Sequence, residues 1–230
     1  MTTTKQVAKV SVLQDRTIVE VDSSQQASSA AYYPPAYSTT YIKATTYVNT
    51  SYYPWFSINP AKSVIGNDTN NSWLSSAGSR TNQRFHIDLG AIKRLVSFTY
   101  HNYHDEGLLT DIGAKTYTIW GSNTPAAFAD LTYNTDTNWT QLTTSQATLD
   151  RHTASNVSDE KSISVGTLEG YRYYAFKFQD NWGHGAYIGI RHLTLMVGNY
   201  VVYDSNLDVN VDQDLLITAM VGSKTSILYI

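Results

Sequence analysis

The chain has 230 residues, of which 42% are hydrophobic and only 15% charged, with a formal net charge of -3 and no cysteine. That length buries a full core in one large β domain with appendages or in two small domains, and it does so without disulfides or thiolate metal sites. The slightly acidic balance leaves no basic footprint, which excludes nucleic-acid binding through phosphate neutralisation.

Polarity comes instead from Ser, Thr, Asn and Gln, while 18 Tyr and 5 Trp supply strand-favouring rings whose amphipathic faces suit sugars or protein partners. Met1 to Lys9 lacks the apolar core of a secretion signal, and no run approaches the roughly 18–20 apolar residues of a membrane helix. We therefore expect a protein made in the cytoplasm without a signal peptide and without membrane insertion.

Lys9 to Val21 alternates apolar residues on both sides of Gln14-Asp15-Arg16, which predicts a β-hairpin. Asp22 to Ala31 is small and polar and reads as a linker, and Tyr33-Pro34-Pro35 interrupts regular structure just after it. From Tyr41 onward strands alternate with turn-rich loops. Arg84 to Gly90 alternates cleanly, directing Phe85, Ile87 and Leu89 inward and Arg84, His86 and Asp88 outward, with the Asp88-Leu89-Gly90 turn ending the strand. Leu95 to Tyr100, Thr116 to Trp120, Tyr173 to Phe178 and Tyr187 to Val197 are further predicted strands. In the last of these the apolar parity changes near Arg191-His192, which predicts a bulge or a bend between sheets. After Gly198, Tyr200 to Tyr203, Leu207 to Val211, Leu215 to Val221 and Ser226 to Ile230 read as three or four short strands. The predicted organisation is an N-terminal β-arm and linker over residues 1–30, a strand-rich domain over 31–198 and a C-terminal strand segment over 199–230. The terminal strands pair with each other or with neighbouring subunits.

Three segments carry a resemblance to a known family. Asn67 to Ser75, with its Trp73, is followed by Gln83-Arg-Phe-His-Ile-Asp-Leu-Gly90; then come Asp111 to Asn123, with Trp139-Thr-Gln-Leu142; last are Tyr171 to Phe178 and Ile188 to Leu195. In this order and spacing, over about 150 residues, the chain resembles the discoidin family, or coagulation-factor type C domains, which includes galactose-binding-like carbohydrate modules. The resemblance implies a jelly-roll β-sandwich with Trp73 in its core and Trp139 beneath a loop, so the expected fold is all-β, a galactose-binding-like jelly roll to which the terminal patterning adds extra strands at both ends.

Members of that family hold a structural calcium in the loop before the Trp, using a carboxylate, backbone carbonyls and a Glu of the last strand, and oxygen ligands suit this ion. In this chain the aspartate position holds Gly66 and the last-strand Glu is replaced by His192, so the ligands implied for a calcium are Asp68 and Asn71. The family's ligand-binding loops present aromatics beside polar groups, the pairing that a sugar's CH face and hydroxyls need. Two loops fit: His101, Asn102, Tyr103, His104 and Asp105 in one, and Asn181, Trp182 and His184 in the other, whose glycines allow close backbone approach. Tyr52 to Phe56 is a third aromatic cluster, read chiefly as packing.

His101, His104, Asp105 and Glu106 have the composition of an acid/base or zinc group. No H-E-x-x-H, G-x-S-x-G, phosphate-cradling or paired-carboxylate motif accompanies them, so no catalytic activity is expected. The Thr-, Asn- and Tyr-rich surroundings are similar to discoidin-type domains of bacteriophage fibre and particle proteins. The expected function is thus non-catalytic glycan binding within a virion fibre, spike or decoration protein that recognises host-surface sugars. Its other partners would be virion subunits reached through the terminal arms, in a homo-oligomer for which a trimer is the natural guess. The alternatives are a purely structural virion assembly protein, and a secreted adhesin or glycosidase-associated module.

Overall fold

The computed structural model describes residues 8–13, 16–21, 29–167, 169–198, 216–221 and 224–229. The chain divides into two units, Ser29–Val197 and Met1–Ser28 with Gly198–Ile230. In the second of these, β1 (Ala8–Leu13) pairs antiparallel with β2 (Arg16–Val21) from Ala8↔Val21 to Leu13↔Arg16. The predicted strands Tyr200 to Tyr203 and Leu207 to Val211 lie outside the described residues.

The larger unit contains β3 (Ala30–Tyr32), β4 (Ile42–Ala44), β5 (Trp73–Leu74), β6 (Gln83–Asn102), β7 (Tyr117–Ser122), the short helix α1 (Pro125–Ala129), β8 (Thr140–Thr144), β9 (Lys161–Gly166), β10 (Tyr171–Phe178) and β11 (Gly189–Gly198). One sheet runs β4-β6-β10-β7-β8, and the other is β9-β6-β11 with β3 and β5 on β11. Two strands serve both sheets. The first half of β6 pairs with β4 (Ile42↔Ile87) and β10 (Phe176↔Phe85), and its second half pairs with β9 (Phe98↔Ile163). Likewise β8 pairs with β7 at Ile119↔Leu142 and with β9 at Thr144↔Val165. The result is an all-β jelly-roll sandwich, the fold class expected. Beyond it, β12 (Leu216–Val221) pairs antiparallel with β13 (Lys224–Tyr229).

The turn expected to end the strand at Gly90 instead bends it. Gly90 has φ +72°, and a Cβ there would lie 2.5 Å from Pro35 Cγ, so only glycine fits. The bend is held by Asp88, whose carboxylate accepts the Gly90 N–H at 2.7 Å and a bidentate Arg172 guanidinium at 2.8 and 2.9 Å.

Between the sheets lie Trp73, Phe85, Phe98, Tyr174, Phe176 and Phe178, all below 2% exposed. Trp73 meets Phe85 edge-on at 5.3 Å and stacks on Phe178 at 5.8 Å. A second cluster forms on the outer face of the β6-β10-β7 sheet, where α1 and the loop after it lay Phe128 and Trp139 over Tyr173 and Ala175. The outward residues of β6 are therefore buried too, which corrects the exposure expected for Arg84, His86 and Asp88. His86 packs 5.0 Å from Trp139 and bonds the Phe128 carbonyl through Nδ1 at 3.0 Å. Arg84 binds the carbonyl of Tyr133 and the carboxylate of Asp136, which also takes Lys177 at 2.9 Å. The apolar parity of β11 does change across Arg191-His192, because Ile188, Ile190, Leu193 and Leu195 all lie in the central core.

Candidate functional site

Because β6 folds back at Gly90, it begins and ends at the same end of the sandwich. Gln83 pairs with Phe178 and Phe178 with Tyr117, while Asn102 reaches the Ala114 carbonyl at 2.7 Å. Isolated bridges Gly113↔Gly189, Ala114↔Asn181 and Thr116↔Thr148 stitch the loops of that end together. Loops over residues 75–82, 103–116, 145–160 and 179–188 thereby form one face.

The 179–188 loop is built rather than draped. Asp180 receives the N–H of Lys115 on its carbonyl and of Thr116 on its carboxylate, both at 2.9 Å, and Trp182 N–H reaches the Gly113 carbonyl at 3.2 Å. Asn181 spends its amide inside the loop, donating to the carbonyls of His184 (2.9 Å) and Tyr187 (2.6 Å) and accepting Gly183 N–H (2.9 Å). From outside, the Ala186 carbonyl accepts Gly78 N–H at 2.9 Å and the Gly185 carbonyl accepts Arg80 Nη1 at 3.3 Å. Gly183 takes φ +113°, a conformation that other residues rarely adopt.

This frame presents three half-buried rings, Trp182, His184 and Tyr187. Trp182 donates its indole N–H to the Leu149 carbonyl at 3.2 Å and lies 5.0 Å from the Lys115 ammonium. His184 stacks on Tyr187 at 5.6 Å. Its Nδ1 accepts the N–H groups of Ala186 and Tyr187 at 3.2 Å, which leaves Nε2 as the ring's donor. Tyr187 in turn packs beside Tyr52 on a small cluster of Leu74, Tyr103 and Ile112, so the third aromatic segment joins this face through Tyr52. Asn181 acts as the loop's internal brace.

The other predicted loop is placed differently. His101, Asn102, Tyr103 and His104 are all buried, and only Asp105 is half-exposed. The expectation that all five present groups to a ligand is corrected: the first four support the face from beneath. Asn102 donates to the carbonyls of Ala114 and Asp150 and accepts Tyr103 N–H. His104 accepts Gly107 N–H at Nδ1 (3.0 Å), and its Nε2 then donates to the Val64 carbonyl (2.8 Å). Its ring stacks at 3.8 Å on buried His152, and His101 meets His192 at 6.3 Å. Burial pulls the pKa of His104 and of His192 down to about 4. These rings are neutral at pH 7. The loop closes in a tight turn with φ +52° at Glu106 and +84° at Gly107, the pairing typical of a two-residue hairpin. A Cβ on Gly107 would sit 2.4 Å from the Ser155 backbone.

Beside it lies the loop of residues 63–72. Asp68 is buried, and its carboxylate accepts the hydroxyls of Tyr103 and Tyr52. Asn71 accepts Ser63 N–H at 3.1 Å and donates to the carbonyls of Asn67 and Thr69, each at 3.1 Å. Arg191, fully buried on β11, donates to the carbonyls of Ser63, Ile65, Gly66 and Asn67.

Residues 62–197, covering every loop of this face from Lys62 onward, match the family DUF5000, described as a domain of unknown function. The chain belongs to that family. No curated protein matches it. Among solved structures, this DUF5000 domain is similar to a family 32 CBM of Clostridium perfringens NanJ in complex with galactose, at 14% identity over 67% of this chain and 91% of that one, with a TM-score of 0.44. It is also similar to CBM32-3 from a family 31 glycoside hydrolase of Clostridium perfringens (16% identity, 68% and 89% covered, TM-score 0.47). A third is CBM62 from Clostridium thermocellum Xyl5A (9% identity, 74% and 97% covered, TM-score 0.45). At these identities the likeness concerns the fold.

The donors of the DUF5000 domain's 63–72 loop do not fit a calcium ion. The Asp68 carboxylate takes two tyrosine hydroxyls, the Asn71 amide is used on both sides, and the loop carbonyls point at a guanidinium. Among the described residues, no three His, Asp or Glu side chains are grouped to hold a metal. Sequence reasoning passed over Arg191, Lys115 and His152. The parity break at Arg191-His192 was the one signal for the first of them, since a charged side chain within a core strand needs a partner.

Proposed function

We propose that this domain is a non-catalytic glycan-binding module whose ligand docks on the loop face at Trp182, His184 and Tyr187. The observation that carries the reading is the 179–188 loop, whose backbone is braced on three sides while its rings remain half-exposed. A preformed loop loses little entropy on binding, and rings beside polar donors suit a sugar's CH face and its hydroxyls. His184 Nε2 and Lys115 supply polar groups at this place, and the Asp111 carbonyl, which accepts the His184 N–H at 3.3 Å, brings that loop alongside.

The experiment is a glycan array followed by calorimetry on the best binder. Trp182→Ala and His184→Ala are each expected to weaken that binding at least about tenfold, the scale of a lost ring contact or hydrogen bond, while the sandwich still unfolds in a cooperative transition. Binding unchanged in both variants would remove the loop face from the function.

The same proposal places the module in a larger assembly, a bacteriophage fibre, spike or decoration protein that recognises host-surface sugars. What supports this is the pair of hairpins outside the sandwich. Among the described residues, β1-β2 and β12-β13 each form a two-stranded sheet, which is marginal alone and leaves edges for neighbouring strands.

A further inference from the structure

Five backbone carbonyls from two loops converge on one point of the domain. Ser63, Ile65, Gly66 and Asn67 come from the loop before Trp73, and His104 comes from the loop after β6. The chain is bent to make this possible. Gly66 takes φ +75°, and the Asn71 side chain ties Ser63 N–H to the Asn67 carbonyl across the loop. Carbonyl dipoles with their negative ends together repel one another, and such a concavity is stabilised by a positive charge that can serve several oxygens at once.

The structure assigns that charge to Arg191: its guanidinium is the built-in cation of this loop, standing where a bound divalent ion would otherwise be required. All three nitrogens are engaged. Nε donates to Ser63 O at 3.1 Å, Nη1 to His104 O at 3.2 Å, and Nη2 to the carbonyls of Ile65 (2.7 Å), Asn67 (2.9 Å) and Gly66 (3.2 Å). The side chain is 0% exposed and sits on β11, two residues after the Gly189 backbone that bridges Gly113. A planar fork with five N–H donors can serve several carbonyls at once, which a lysine ammonium on its flexible stem does less well. Burial lowers the guanidinium's pKa and the nearby Asp68 carboxylate raises it, but an arginine keeps its proton throughout the working range.

Two consequences separate this arrangement from a metal site. The loop is ordered without any divalent ion, because its oxygens are already paired. Arg191 is also a positioning residue for the loop face, since it joins the 63–67 and 103–107 loops to the strand from which the 179–188 loop departs. This inference is independent of the glycan reading: it concerns how the loops are held, whatever docks on them.

The test uses the full chain. Its thermal unfolding midpoint is expected to be the same in EDTA and in millimolar calcium chloride. A midpoint raised by calcium or lowered by EDTA would overturn the assignment. In Arg191→Gln the midpoint is expected to fall by roughly 5 °C or more, with faster amide hydrogen exchange in residues 63–68 and unchanged exchange in β10. A wild-type midpoint and wild-type exchange in that variant would equally overturn it. Should Arg191→Gln give no folded protein, Arg191→Lys carries the test. Its single ammonium is expected to leave the 63–68 amides less protected than in the wild-type chain, and equal protection would refute the role of the fork.

Discussion

At the scale of single residues, the polar side chains that look most like ligand-binding groups are largely the scaffold of the loop face. His101 and His104 sit in an Asn-, Tyr- and Asp-rich stretch that reads as an exposed sugar-binding loop, yet both are buried, one against His192 and the other against His152. Burial has a titration consequence. His86, His104 and His192 are each held near a pKa of about 4, below the roughly 6.5 of an unfolded chain. Between those values the unfolded state binds more protons than the folded one, so stability is whole above about pH 6.5 and is lost as the pH falls towards 4. Protonating His104 also removes the acceptor for Gly107 N–H and puts a charge against the His152 ring. Unfolding free energies from urea titrations between pH 7 and pH 4.5 are expected to fall steadily, by about several kcal/mol in total, and His104→Gln is expected to flatten the fall. A pH-independent free energy would contradict the neutral, buried assignment.

At the scale of elements, the decisive device is the bend in β6. The sequence alternates correctly on both sides of Gly90, and Trp73, Phe85, Ile87 and Leu89 reach the core positions their pattern indicates. A glycine after Asp-Leu is nevertheless a stop signal when read locally, so one long strand looks like two. Only its pairing with β4 and β10 before the bend and β9 after it reveals the continuity. Gly90→Ala must place a side chain at φ +72° against Pro35, and we expect a loss of about 1–3 kcal/mol in chemical denaturation. A wild-type midpoint would mean that the bend is soft. The strands β8 and β9 are absent from the strands predicted above. Thr140–Thr144 buries only Leu142, too little contrast to register, and Lys161–Gly166 alternates at Ile163 and Val165 but over too short a run to stand out from the polar loops around it.

At the scale of the whole molecule, the sandwich Ser29–Val197 is a unit with its own core, and the residues on either side form another. A fragment of residues 29–198 is expected to unfold in a single cooperative transition at the midpoint of the sandwich in the full chain. If the terminal hairpins drive assembly, the fragment's mass in solution will be that of a smaller oligomer than the full chain's. An unchanged oligomeric state would take the assembly role away from them. The sequence by itself determined the all-β class and the positions of the long alternating strands, because alternation and aromatic content are local and survive without knowledge of partners, and the resemblance added the core place of Trp73. Only the tertiary structure decided which loop shows its rings and what charge holds the neighbouring loop in place. Those outcomes depend on contacts between residues far apart in the chain, such as Arg191 on the 63–67 carbonyls and Gly107 on Ser155, and no local pattern encodes them.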